Sequence, residues 1–261
     1  MIPKIIHFIF GLREDFGGMP FSQCHYWSIL SAKIINKDYE IVLHYFYEPV
    51  NNEWWEKCKS IIKLNKLKQL PVSVTNHIIE KHAHRSDLLR LDILNEEGGI
   101  CLDIDTICIK PFDPLLVHEN KVVMGIEVFD GIITGLCNAV IISNKNNIFL
   151  QRWKQLCLIE FDPRDYNRTG VKLPWRLYNS FPDDIWVEPP ESFFRLTWSE
   201  KDFQEMYFNK IIFDRSYSVH LYNGSWKYLQ QITYEDIMNK DTSYNLLMRK
   251  ILNEARTQSI L

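Results

Sequence analysis

Two aspartates separated by one residue, Asp103 and Asp105, carry the strongest chemical signal in this 261-residue chain. In an extended segment, side chains at i and i+2 leave the same face, about 6–7 Å apart along the strand. Both carboxylates can then reach one divalent cation, directly or through water. Mg²⁺ or Mn²⁺ suits such a site, keeps some of its waters and binds substrate phosphates as well. The chemistry this permits is departure of a diphosphate, whose growing charge a bound dication neutralises. An Asp-x-Asp pair also occurs in ordinary acidic turns. Here it follows Gly98-Gly-Ile-Cys-Leu102 and precedes Thr106-Ile-Cys-Ile-Lys-Pro111, which points to the end of a buried strand.

Other residues could join that site. Asp87 and Arg90 stand at i and i+3, neighbours on one helical face. An ordinary surface ion pair there contributes under about 1 kcal/mol. Alternatively, Arg90 donates a fork of hydrogen bonds while Asp87 accepts from sugar or ribose hydroxyls. Arg85 either serves the same purpose or merely flanks. His220 precedes a polar, glycine-containing loop; a neutral imidazole ligates Mn²⁺ more readily than Mg²⁺, so a ligand there tilts the choice to manganese. His82 and His84 read as a polar loop, since no third ligand is near them in sequence. Asn138, at the start of an apolar run, either faces an acceptor cleft or caps a turn. Trp175, Trp186, Phe193, Phe194 and Trp198 could stack on a sugar, although aromatics this dense are usually core. Asp183-Asp184 reads as a solvated turn after Pro182.

The elements that must position these residues alternate between strand and helix. Strands are expected at Ile5–Phe10, Glu40–Tyr47, Val72–Val74, Ile100–Leu102, Ile107–Ile109, Val122–Val128 and Asn138–Ser143. Helices are expected at Tyr26–Ile35, Glu53–Leu67, Asp87–Glu97, Asn147–Ile159 and Tyr234–Ala255. Leu88, Leu89, Leu91, Ile93 and Leu94 give the third helix a broad apolar face, with Ser86 as N-cap and Gly98-Gly99 as its stop. Residues 161–198, rich in Pro, Trp and Tyr, read as irregular acceptor-side cover. The alternation predicts an α/β fold with a mostly parallel central sheet and helices on both faces.

Composition narrows the function. With 46% hydrophobic and 13% aromatic residues, the chain builds a large core. Its 30 basic and 33 acidic residues give a net charge of −3, without the basic stripe of a nucleic-acid binder. The six cysteines show no C-x-x-C spacing and read as reduced core thiols. Ile2–Phe10 is too short to span a membrane, and no longer apolar run follows. With no signal peptide read at the start, the expectation is a soluble, cytoplasmic protein, with attachment at a membrane surface as the alternative.

Ser86-Asp87-Leu-Leu-Arg90 followed by Glu97-Gly-Gly-Ile-Cys-Leu-Asp103-Ile-Asp105 resembles the DXD-containing sugar-binding region of glycosyltransferase family 32, a pattern also found in the glucosylating clostridial toxins. Ile2–Phe10 looks like the opening strand of that family, and His220-Leu-Tyr-Asn-Gly-Ser-Trp226 like its late motif. The likeness covers roughly the first 125 residues and this late motif. It implies a GT-A, Rossmann-like domain over 1–261, a UDP- or GDP-sugar donor, a divalent cation, a glycan acceptor and retention of anomeric configuration. By position, Phe8 and Ile9 would border the base. Asp87 and Arg90 would touch the donor sugar, with Arg85 beside them. Asp103 would face ribose and metal, Asp105 would bind the metal and His220 would complete its shell. Ser225 and Trp226 would lie by the diphosphate. Asp103, Asp105 and Arg90 are the residues expected to carry catalysis.

Two other readings stand beside this one. Leu102-Asp-Ile-Asp-Thr-Ile107 resembles the nucleophile motif of haloacid-dehalogenase phosphatases, but Ile107 replaces the Thr or Val of that pattern. A glycan- or nucleotide-binding module without turnover is the second.

Overall fold

The computed structural model describes residues 1–260 except Asn76 and Trp226. Chain entry is strand β1 (Ile5–Phe10), then helix α1 (Gln23–Ile35), β2 (Glu40–Tyr45), α2 (Glu53–Lys59) and β3 (Lys63–Lys66). A small hairpin, β4 (Ser73–Val74) and β5 (His77–Ile78), leads into α3 (His82–Glu97). Next come β6 (Gly99–Leu102), β7 (Thr106–Cys108), β8 (Val122–Phe129), β9 (Ile132–Ser143) and α4 (Ile148–Ile159). A π-turn over Arg168–Lys172 runs into α5 (Leu173–Ser180), β10 (Ile185–Glu188), α6 (Pro190–Phe193) and α7 (Glu200–Tyr207). Strand β11 (Ser218–His220) and helices α8 (Tyr234–Asn239) and α9 (Ser243–Thr257) follow.

Seven strands form one sheet in the order β10-β8-β9-β6-β1-β2-β3. It is mostly parallel: β9 alone runs against both of its neighbours. Strand β1 lies between β6 and β2, which is why its sequence Ile-Ile-His-Phe-Ile-Phe is apolar on both faces rather than alternating. One face carries α1, α2 and α9, with Phe8, Leu30, Leu43, Trp55 and Met248 in one core. The other carries α3, α4 and α5, with Leu88, Leu91, Leu94, Phe149, Trp153 and Leu173 in a second. Among the described residues, no helix is long and apolar enough to cross a membrane. All six cysteines are free and buried, as expected from their spacing.

The junction of α3 and β6 is tight. Gly99 adopts φ +101°, and a Cβ on it would meet the Ile5 carbonyl oxygen at 2.6 Å. Glycine therefore lets β6 dock directly against β1. Strand β11 pairs antiparallel with β7, setting His220 opposite Thr106. That pairing carries a late-chain histidine to the mouth of the acidic turn.

Several element boundaries differ from expectation. The helix from Glu53 ends at Lys59, and the chain then turns into β3 beside β2, so Ile61-Ile62 leads into an edge strand. Helix α3 begins at His82, which puts Ser86 inside it, where its hydroxyl accepts from Arg90. Residues 161–198 are not irregular: β10 pairs with β8 and completes the sheet edge. The closing helix is two, because Thr242 caps α9 and Asn245 donates to the Asp236 and Lys240 carbonyls across the break.

Candidate active site

The site begins where β6 runs out. The Asp103 N–H donates to Ala139 O at 2.9 Å, and the Thr106 N–H donates back to Asp103 O at 3.0 Å. Asp103 and Asp105 thus occupy a tight turn between β6 and β7, not the extended strand that alternation predicts. Convergence comes from tertiary partners instead. Asp105 Oδ2 accepts from the Asn223 N–H at 2.7 Å, and Oδ1 lies 3.1 Å from His220 Nε2. Asp103 Oδ2 is 3.7 Å from the same nitrogen. One ligand atom each from Asp103, Asp105 and His220 can be chosen with all three within 4.8 Å.

Two oxygens and one imidazole nitrogen suit a borderline-hard dication, Mn²⁺ better than Mg²⁺. A second observation agrees. His220 Nδ1 is buried without a partner while Nε2 faces both carboxylates, so the imidazole is aimed into the acidic turn rather than at its own surroundings. Burial opposes charge on both members of the closest pair. Burial alone would raise the Asp105 carboxyl, but His220 beside it and the Asn223 N–H bring it down to about 2. Burial alone would lower the His220 imidazole, but Asp105 holds it above its ordinary value. A proton and a dication therefore compete for this place.

Arg90 is buried, and its fork is already engaged. Nη2 donates to Asp103 Oδ1 at 2.6 Å and to Ser86 Oγ at 3.0 Å, and Nη1 donates to Asn138 O. It fixes the Asp103 carboxylate and makes no ion pair with Asp87. Asp87 turns the other way: Oδ1 accepts from Asn138 Nδ2 at 2.7 Å and Oδ2 from the Thr169 hydroxyl. Burial raises the Asp87 carboxyl, and Arg90, Thr169 and Asn138 offset only part of that. Gly170 makes the approach possible, since a Cβ there would meet Asn138 Nδ2 at 2.7 Å.

These groups line a cavity of about 500 Å³, the size of a small-molecule site. Ile9, Asp87, Arg90, Asp103, Asp105, Asn138, His220 and Ser225 all border it, with Ile9, Phe10, Gly11, Leu12 and Phe16 forming an apolar end. Two expected donor residues do not. Phe8 is fully buried in the α1-side core, because neighbouring β1 residues point to opposite faces. Arg85 donates to the Leu12 and Ile79 carbonyls and ties two loops together, beside a shallow depression next to the cavity. Trp226 lies outside the described residues.

His82 and His84 open α3 instead of forming a loop: His82 borders the cavity, and His84 is buried against Phe161 and Tyr166. Of the five aromatics, Phe193 and Phe194 are core and Trp198 borders the cavity. Asp183-Asp184 forms a short turn after Pro182, with Asp184 paired to Arg152.

Sequence reasoning missed Glu127, Thr169, Tyr222 and Asn223. Glu127 carries a local signal, a lone carboxylate inside the apolar strand Val-Val-Met-Gly-Ile-Glu-Val-Phe, and Tyr222 and Asn223 lie inside the late motif, whereas Thr169 carries none.

Residues 25–122 match the glycosyltransferase sugar-binding region containing the DXD motif. Glucan organizing enzyme 1 of Cryptococcus neoformans var. grubii is 30% identical over 266 residues, spanning 97% of this chain and 71% of that protein. Among solved structures, the apo-form glycosyltransferase GlyE of Streptococcus pneumoniae TIGR4 superposes with a TM-score of 0.54 at 14% identity, covering 100% of this chain and 64% of that one. A second structure of GlyE gives a TM-score of 0.51, also at 14% identity and with the same coverage. The chain thus spans somewhat less than two thirds of GlyE, and the likeness there is one of fold. With the acidic turn inside the matched region, this chain belongs to the DXD-motif glycosyltransferase family, and it is a glycosyltransferase of GT-A fold.

Proposed function

We propose that this enzyme transfers a hexose from a UDP- or GDP-sugar to a hydroxyl of a glycan, with a divalent cation, Mn²⁺ before Mg²⁺, at Asp103, Asp105 and His220. The observation that carries the reading is the convergence of those three side chains at the wall of a cavity of about 500 Å³. A bound cation there supplies charge neutralisation for the departing diphosphate.

The chain's own groups orient and hold. Arg90 fixes Asp103 and the Asn223 N–H fixes Asp105, so neither carboxylate must reorganise when a ligand arrives. Asp87, held by Asn138 and Thr169, presents a carboxylate to sugar hydroxyls. Ile9, Leu12 and Phe16 offer an apolar slot for the base, and Ser225 stands by the diphosphate. Asn138 acts through Asp87 rather than by meeting the acceptor itself. Retention rests on the resemblance of the Ser86–Asp105 segment to retaining enzymes, with the acceptor hydroxyl attacking the face that the diphosphate leaves. Six unpaired, buried thiols support a reducing, cytosolic setting.

The phosphatase alternative loses its ground with family membership and with Asp103 locked onto Arg90. The test is a panel of UDP- and GDP-sugars assayed for hydrolysis with and without Mn²⁺. One donor should turn over only with metal, and Asp105→Asn should lower that turnover by about a hundredfold or more while the variant still folds and unfolds cooperatively. Near-normal turnover in Asp105→Asn would falsify the metal role.

A further inference from the structure

Glu127 is 3% exposed and borders the cavity, yet no lysine or arginine among the described residues is paired with it. Its hydrogen-bond partners are neutral donors, and His220 acts on it only through space. The Thr134 hydroxyl donates to Oε2 at 2.8 Å, and the Tyr222 hydroxyl donates to Oε1 at 3.2 Å. The Cys137 thiol also faces it; burial and the Glu127 charge together push that thiol well above its ordinary value. A buried carboxylate without a cation is costly to keep, and cores normally avoid it. Tyr222 adds strain of its own, at φ +49°, a region that bulky residues rarely enter. The fold maintains both features at the edge of the reaction cavity.

The surroundings point outward from this carboxylate. Tyr222 contacts His220 on one side, with ring centroids 4.0 Å apart, and Trp198 on the other, at 5.3 Å. Trp198 stacks on Phe129 at 4.6 Å with 12° between the rings. Phe129 ends β8, and Ile132 just beyond the turn is 71% exposed. A wall thus runs from the metal-ligating histidine, past Glu127, along aromatic rings to solvent.

We propose that this wall is the acceptor subsite: Glu127 accepts a hydrogen bond from a hydroxyl of an incoming pyranose, and Trp198 packs against the apolar face of that ring. The inference rests on the transferase reading above and names its second substrate class, a neutral saccharide. Three points favour the acceptor over the donor. An uncompensated carboxylate repels a diphosphate. Its spare lone pairs suit hydroxyl donors. A glycan must also enter from solvent, and this wall leads there from Glu127 by continuous ring contacts. Glu127 takes no proton in this role; it orients the hydroxyl.

The experiment uses the sugar nucleotide that the hydrolysis panel selects, Mn²⁺, and methyl hexopyranosides and their disaccharides as acceptors. In Glu127→Gln the acceptor KM should rise about tenfold or more, the donor KM should stay within about twofold, and Glu127→Asp should recover part of the loss. Trp198→Ala should raise the acceptor KM in the same selective way, which covers the case of a misfolded Glu127 variant. Donor and acceptor KM rising together would overturn the assignment. So would a glycosyl azide formed by Glu127→Ala in azide, which would make Glu127 a nucleophile. A wild-type chain that hydrolyses no sugar nucleotide would sink the transferase reading beneath it, and that result precedes any variant.

Discussion

The cavity holds four carboxylates of two kinds. Asp103 and Asp105 have charged or chargeable partners, Arg90 and His220. Asp87 and Glu127 have only hydroxyl, amide and thiol donors. The first pair is locked by strong, directional interactions and suits a cation that must be met in one geometry. The second pair is held by neutral donors at the cavity lining, which suits neutral hydroxyls arriving in several poses. One pair is built for charge and the other for sugar.

The largest effect should come from cutting the lock. Arg90→Met leaves Asp103 without its cation and also orphans the Asn138 carbonyl. Breaking a buried ion pair from one side costs about 3–5 kcal/mol. Asp103 is 28% exposed on its side chain, which screens it somewhat and places the loss nearer 3 than 5. Urea unfolding midpoints would measure this. A loss under about 1 kcal/mol would mean the Arg90–Asp103 pair contributes no more than an exposed one and the contrast between the two kinds of carboxylate is false.

For the hydroxyl-held pair the matching cut is Thr169→Val. It removes one of two side-chain donors to a buried Asp87 and keeps the side-chain volume. A hydrogen bond to a charged group contributes about 1.5–3 kcal/mol. Stability should fall by about that much, and the donor KM should rise, because Asp87 is then held by Asn138 alone. An unchanged donor KM with lowered stability would show that Asp87 supports the π-turn and not the sugar.

These predictions also mark what the sequence made legible. The α3–β6 segment could be read because helix, stop, strand and acidic pair are contiguous, so local periodicity and spacing encode them. Even there alternation gives the wrong geometry: the aspartates converge through a turn and through His220. The partners of Asp87 and Glu127 come from β9, the π-turn and the loop after β11. Nothing local brings Thr169 to Asp87, 82 residues earlier, or Tyr222 to Glu127, 95 residues earlier. Pairing of β11 with β7 and docking of the π-turn on β9 do that, and both are tertiary events. Phe8 and Arg85 fail for a related reason. A motif position fixes the neighbourhood, while one step along a strand, or one loop carbonyl within reach, decides where the side chain points.

The smallest effect tests whether the contrast reaches beyond the cavity. Across β1, β2 and β3 runs a buried chain of neutral groups. The carbonyl of Gly98 can only accept, so His7 Nε2–H donates to it at 2.9 Å. His7 Nδ1 must then accept from His44 Nε2–H at 3.0 Å, and His44 Nδ1 accepts from Asn65 Nδ2 at 2.9 Å. Both rings are needed neutral. Burial first, then the neighbouring His7, lowers His44 from 6.5 to about 3, and burial likewise lowers His7. A histidine with a depressed folded pKa weakens the fold in acid: the unfolded chain binds the proton from pH 6.5 downward, while the folded chain refuses it until about pH 3. Stability should therefore fall through that window by up to about 1.4 kcal/mol per pH unit for each such ring. His220, raised by Asp105, has the opposite sign and keeps its stabilisation in acid. His44→Gln retains one donor and one acceptor but cannot titrate, so its urea-derived stability should decline less steeply between pH 6 and pH 4 than that of the parent chain. Equal slopes in the two proteins would mean that His44 already carries its proton when folded, and that neutral partnership in this molecule stops at the cavity wall.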